Sequence, residues 1–229
     1  MIKALFFDFN GVIIDDETIQ MKAYQEVLRG HQIELTKEWY FDALGMDDKT
    51  FVQSMFQRAK KPLTDPLLET VLGAKTDLHR EMIADELPLF PGVMTFLKAA
   101  SRHFSVGLVS MANKAEVSYV FQRANLTPLF SVIVTAEDAS VCKPDPDCYL
   151  AGLRKLNEKR QHERLLPLLA TECLAIEDSP PGIQSARTAG MRTLGVTNTV
   201  SAADLRAAGA EVVTASLADW TVDTVNRLF

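Results

Sequence analysis

Four polar stretches in this chain follow apolar runs. Asp8 comes directly after Ile2-Lys3-Ala4-Leu5-Phe6-Phe7, and Ser110 after Phe104–Val109. Lys143-Pro144 follows the run Phe130–Thr135, and Glu177-Asp178 follows Cys173-Leu174-Ala175-Ile176. Short runs rich in β-branched and aromatic residues read as buried strands. Parallel strands share one carboxyl edge, where open α/β sheets hold their ligands. Each residue alone has a plainer use. Asp8 can shape the turn at Asn10-Gly11, two residues that tolerate positive φ. Ser110 can sit in a loop, Lys143 in solvent, and Glu177-Asp178 ahead of a capped helix. Gathered on one edge, they describe a chemistry. Asp8 and Asp178, with Glu177 nearby, are hard oxygen donors suited to magnesium, which keeps waters and shares itself with a substrate phosphate. A carboxylate such as Asp8 can attack phosphorus and form an acyl phosphate. Lys143 would neutralise Asp8 and the phosphoryl oxygens. The Ser110 hydroxyl and the Met111 backbone N–H would hydrogen-bond those oxygens.

The elements that must position these residues alternate from about residue 90 onward. After strand 104–109, Asn113 caps a helix whose Val117, Val120, Phe121 and Ala124 share one face. Strand 130–135 precedes a helix over 146–156 with Tyr149, Leu150, Leu153 and Leu156 inward. Residues 157–171 read as a surface connection. Ser179 caps a helix with Pro180 and Pro181 in its first turn, and Gly190 closes it. Short strands at 193–196 and 211–213 complete the series. Alternation of this kind predicts an α/β fold, a Rossmann-like parallel sheet covered on both faces. Residues 15–88 break the rhythm and contain only helical patterns. One runs from Glu17 to Arg29 and ends at Gly30, and one is capped by Thr36 and runs to Leu44. A third is marked by Phe51, Val52, Met55 and Phe56. The fourth runs from Asp65-Pro66 through Leu68, Val71, Leu72, Leu78 and Met82. The expectation is a core of residues 1–14 and 89–229 with an all-helical cap inserted at 15–88. Its hinges would be Asp15–Glu17 and Leu87–Gly92.

Composition narrows the partners. The net charge is −6 over 229 residues, with no block of Lys and Arg, which argues against nucleic acid and anionic membranes. The odd number of cysteines (Cys142, Cys148, Cys173) and the lack of any Cys-x-x-Cys spacing fit reduced thiols and a cytoplasmic setting. The N-terminus does not read as a signal peptide, and no run reaches the ~18–20 apolar residues of a membrane span. His31, His79, His103 and His162 are scattered and read as surface residues. The expected assembly is a monomer or weak dimer acting on a small phosphorylated metabolite.

The four stretches together resemble the haloacid dehalogenase-like superfamily, in the branch that holds β-phosphoglucomutase and many small-molecule phosphatases. Asp8-Phe9-Asn10-Gly11-Val12-Ile13 is similar to its nucleophile loop, and Val109-Ser110-Met111-Ala112-Asn113 to its phosphate-binding motif. Lys143-Pro144-Asp145-Pro146 is similar to its lysine motif, and Ile176–Ile183 to its metal motif. The resemblance implies a magnesium-dependent phosphatase or phosphotransferase. Asp8 would be the nucleophile and Asp178 a metal ligand, with Glu177 close behind and the backbone carbonyl of Asn10 another ligand.

Asn10 departs from that pattern, because the family's phosphatases carry there an Asp that protonates the leaving oxygen and then activates water. An amide cannot shuttle a proton near neutral pH, and loss of general acid–base help costs ~10²–10⁴ in rate. Poor alkoxide leaving groups should suffer most, and Asn10→Asp is expected to raise alkyl phosphate hydrolysis at least tenfold. Equal turnover by both forms would mean that another group supplies the proton. Two alternatives stand beside a slowed or specialised phosphatase. One is a sugar-phosphate mutase of the β-phosphoglucomutase type. The other is a catalytically weak regulatory protein that binds a phosphometabolite. The mutase reading is weakened by Gln20, which stands where those mutases carry a cap histidine. It is weakened again by Asp47-Asp48-Lys49, which stands where they carry a phosphate-gripping arginine. Gln20 and Lys49 read as surface residues.

Overall fold

The computed structural model describes residues 1–229. Six strands form one sheet: β1 (Ala4–Phe7), β2 (Ser105–Val109), β3 (Val132–Val134), β4 (Cys173–Glu177), β5 (Arg192–Val196) and β6 (Val212–Thr214). Their order is β3-β2-β1-β4-β5-β6, and every pairing is parallel. The period-two geometry of a strand divides β1 between two faces. Leu5 and Phe7 pack on one side with Val106, Leu108, Leu174 and Ile176. Ala4 and Phe6 pack on the other with Cys173 and Ala175. Phe6 and Phe7 are fully buried, each contributing about 1.5–3 kcal/mol by leaving water. Such a strand has no polar face, which is why it can lie at the centre of the sheet.

Between β1 and β2 the chain makes α1 (Glu17–Gly30), α2 (Lys37–Phe41), α3 (Asp48–Arg58) and α4 (Asp65–Met82), then α5 (Val93–Ala100). The first four helices share an apolar cluster that includes Tyr24, Leu28, Phe51, Val52, Met55, Leu68 and Val71. Two segments tie this insertion to the sheet and run side by side. The Asp15 N–H donates to the Pro88 carbonyl at 2.6 Å, and the Phe90 N–H donates to the Ile13 carbonyl at 3.1 Å. Beyond β2 lie α6 (Lys114–Arg123), α7 (Asp147–His162), α8 (Pro180–Thr188), α9 (Ala202–Ala208) and α10 (Val222–Leu228). The α5, α6 and α10 residues Phe96, Leu97, Val117 and Val225 cover the Phe7 face, while Tyr149 of α7 and Ala186 of α8 cover the Phe6 face.

Several local expectations need correction. Helix α7 continues to His162 instead of stopping near Leu156. Lys159, Arg160 and His162 fall in its last turn, where cations favour the C-terminal end of the helix dipole. Only the stretch after it is a surface connection, with Leu165, Leu166 and Leu169 exposed, and Leu150 faces solvent instead of the core. Helix α2 ends at Phe41, and turns carry the chain on through Leu44. At the Asn10-Gly11 turn only Gly11 has positive φ, +72°. A Cβ there would lie 1.8 Å from the Asp178 carboxylate, so the position needs glycine for space as well as conformation.

Candidate active site

Sheet register brings the polar residues together. Phe7 pairs with Leu108 on one side and Ile176 on the other, so Asp8 lies level with Val109 and Glu177, one residue short of Ser110. The Asp8 N–H donates to the Ile176 carbonyl at 3.0 Å, and the Ser110 N–H donates to the Val134 carbonyl at 3.1 Å. Lys143 reaches the same edge from the loop after β3. Its Nζ lies 3.0 Å from Asp8 Oδ2 and 2.6 Å from Glu177 Oε1. The Tyr149 hydroxyl of α7 donates to the same Glu177 oxygen at 2.5 Å. Glu177 also closes over the start of α8. A Cβ on Gly182 would meet its carboxylate at 1.9 Å, and the Gly182 N–H is taken by the Ser179 Oγ cap at 3.3 Å.

The electrostatics of this group are unbalanced. Burial lowers the basicity of Lys143, but Asp8 and Glu177 more than offset it and hold the ammonium charged. Burial and the nearby Asp8 charge push both acidic residues upward: Glu177 rises to about 8 and Asp178 well above the usual carboxylate range. One lysine thus faces three carboxylates. One oxygen from each of Asp8, Glu177 and Asp178 lies within 4.8 Å of the others, and Glu177 Oε2 is buried without a partner. Crowded hard donors with a surplus of negative charge fit a divalent cation. Asp178 is steadied by a hydrogen bond from Thr199, and the adjacent Asn198 amide donates to the Gly11 carbonyl at 2.7 Å. Thr199 was not foreseen from sequence, since it belongs to the loop after β5 and no spacing links it to Asp178.

A cavity of about 100 Å³ lies between this edge and the helical insertion. Asp8, Asn10, Ser110, Met111, Lys143 and Asp178 line it from the sheet side, and Glu17, Gln20, Tyr40, Asp48 and Lys75 line it from the insertion. Glu177 lies just behind. Ser110 Oγ accepts the Ala112 N–H at 3.1 Å, which leaves its own O–H to donate. The Asn10 amide is committed elsewhere. Its Nδ2 donates to both oxygens of the fully buried Asp16, at 2.9 and 3.0 Å. Asp16 also accepts from Gln20 Nε2 at 3.0 Å and contacts His79 Nε2 at 2.8 Å.

Two surface readings are overturned here. Gln20 is buried, donating to Asp16 and Glu116, and His79 is buried against Asp16. Lys49 is exposed, as expected. Sequence reasoning also missed Lys75, whose Nζ lies 2.8 Å from Glu116 and 3.1 Å from Asp48. The signal was present in α4. Leu68, Val71, Lys75 and His79 continue one stripe at helical spacing, but choosing only apolar residues substituted Leu78 and Met82, and Met82 is exposed. A polar residue standing in an inward register marks a buried network, not a break in the stripe.

Comparison with known proteins assigns the family. The model of the haloacid dehalogenase-like hydrolases matches residues 2–190. YhcW of Bacillus subtilis (strain 168), named as a phosphatase, is 32% identical over 207 residues, covering 88% of this chain and 86% of its own. The fructose-1-phosphate phosphatase YqaB of Escherichia coli (strain K12) is 27% identical over 194 residues, covering 84% and 95%. The crystal structure of a β-phosphoglucomutase from Clostridium difficile superposes with a TM-score of 0.85 at 20% identity, covering 100% of this chain and 97% of that one. The chain belongs to the haloacid dehalogenase-like hydrolases, with the fold of their β-phosphoglucomutase-like branch.

Proposed function

We propose that this enzyme hydrolyses small phosphomonoesters through a phosphoryl group carried on Asp8, with residues 15–88 acting as a cap over the site. The observation that carries the reading is the Lys143 ammonium lying between Asp8 and Glu177 on the wall of the cavity. An Asp8 oxygen attacks phosphorus as the bond to the leaving oxygen breaks. The Lys143 ammonium lies 3.0 Å from Asp8 and faces the phosphoryl oxygens. The Ser110 hydroxyl and the Met111 N–H donate to those oxygens, stabilising charge where it develops. Asp178 and Asp8, with Glu177 behind them and the Asn10 carbonyl alongside, would hold magnesium, which would neutralise the repulsion between carboxylate and phosphate. Water then attacks the phosphorus of the aspartyl phosphate and frees Asp8. Asn10 specialises the site, because its amide is tied to Asp16 and carries no exchangeable acid proton.

The phosphatase-named relatives support hydrolysis over mutation of a sugar phosphate, and so does Gln20 in its buried bonds to Asp16 and Glu116. The test is a panel of alkyl, acyl and aryl phosphates assayed for phosphate release with and without magnesium, beside Asp8→Asn. Magnesium-dependent release that Asp8→Asn abolishes is the expected result. Isomerised hexose phosphate without phosphate release would favour a mutase, and tight phosphate-ester binding without turnover would favour a regulatory protein.

A further inference from the structure

The position that should carry a proton holds Asn10, yet the cavity also contains the carboxylate of Glu17. Glu17, in the first turn of α1, lines the same cavity as Asp8 and Asn10. It forms no salt bridge, and the Tyr40 hydroxyl of α2 donates to its Oε2 at 2.7 Å. That contact occupies one oxygen, and no other side-chain hydrogen bond holds the carboxylate. We propose that Glu17 is the proton carrier of this enzyme, donating to the leaving oxygen and then accepting the proton of the attacking water in place of residue 10. The proposal rests on the phosphatase reading above.

The surroundings of Glu17 suit the role. Burial is the chief influence, followed by the negative charge of Asp16, and Asp8 adds to both. The Tyr40 hydrogen bond and the Lys75 charge act the other way, and the balance brings Glu17 to about 7. Asp178, at the end of β4, feels the Glu17 charge in turn. The other charged groups packed around this cavity are paired: Asp48 of α3 and Glu116 of α6 with Lys75, His79 of α4 with Asp16, and Lys143 with Asp8 and Glu177. A carboxyl group that titrates near the working pH is suited to both giving and taking a proton.

The steps balance. In the first, the Asp8 carboxylate forms a bond to phosphorus, the ester P–O bond breaks, and the Glu17 proton passes to the leaving alkoxide, giving an alcohol. In the second, the Glu17 carboxylate takes a proton from water as the water oxygen attacks phosphorus. The bond between phosphorus and Asp8 breaks, inorganic phosphate leaves, and Glu17 is protonated again. If Glu17 does this work, Asn10→Asp no longer yields the tenfold gain that a vacant proton-carrier position would allow.

The experiment compares the full-length wild type with Glu17→Gln, Tyr40→Phe and Asp8→Asn in magnesium, using an alkyl phosphate and p-nitrophenyl phosphate. Glu17→Gln should lower kcat/KM for the alkyl ester by about 10²-fold or more. With the aryl ester, whose leaving group needs no proton, it should release a stoichiometric burst of nitrophenolate. A phosphoenzyme should then accumulate, because water activation is lost. Wild-type kcat/KM on the alkyl ester should fall as pH rises through about 7, where the donor loses its proton, and Glu17→Gln should lose that limb. Tyr40→Phe removes a bond that favours the ionised form, so its limb should move to higher pH. Undiminished alkyl turnover by Glu17→Gln, or equal losses on both esters without a burst, overturns the role of Glu17 and leaves that of Asp8 intact. Turnover of either ester by Asp8→Asn would instead defeat the phosphatase reading itself.

Discussion

At the scale of single residues, the pairing of Asn10 with Asp16 sets the terms of the site. Asp16 is fully buried and takes three neutral or potentially cationic partners: Asn10, Gln20 and His79. An amide suits that place because it donates. Asn10→Asp would set a second carboxylate against both Asp16 oxygens and remove a donor from each. The variant should be less stable near neutral pH by about 1–3 kcal/mol, the cost of leaving buried polar groups unsatisfied. The deficit should shrink as pH falls and the two carboxylates take up a shared proton. Urea denaturation of both forms at neutral and mildly acidic pH checks this. Equal midpoints at neutral pH would mean that Asp16 does not depend on the Asn10 amide.

At the scale of elements, α4 fastens the insertion to the sheet domain through charge. Lys75 is buried between Asp48 of α3 and Glu116 of α6, and those two carboxylates hold it charged against the effect of burial. Tyr24 of α1 hydrogen-bonds Asp48, and Asn113, the cap of α6, donates to Asp48 at 2.7 Å. Lys75→Met should therefore cost about 3–5 kcal/mol, since it strands two buried carboxylates. An unchanged denaturation midpoint would contradict that account. These elements also show what sequence can and cannot convey. Strand cores such as Phe6-Phe7 and caps such as Asn113 and Ser179 announce themselves, because each depends on residues a few positions apart. The edge carrying Asp8, Ser110, Lys143 and Asp178 was legible because parallel topology fixes where strand ends go. The Asp16–His79 contact and the Lys75 bridge were not, because they join residues 63 and 41 positions apart across elements whose mutual orientation no local pattern encodes. The same holds for Thr199 behind Asp178.

At the scale of the whole molecule, a chain of net charge −6 must bind an anion at an edge that is itself rich in carboxylates. Lys143 is the cation that the sheet side supplies, and it is already shared by Asp8 and Glu177. Phosphate should therefore bind only together with a divalent cation. The most direct test of Asp8 as the nucleophile is to incubate the protein with acetyl phosphate, quench with hydroxylamine, and map the product by peptide mass spectrometry. A hydroxamate on Asp8 that requires magnesium is the predicted result. No label in the presence of magnesium, or a label on any residue other than Asp8, would contradict it.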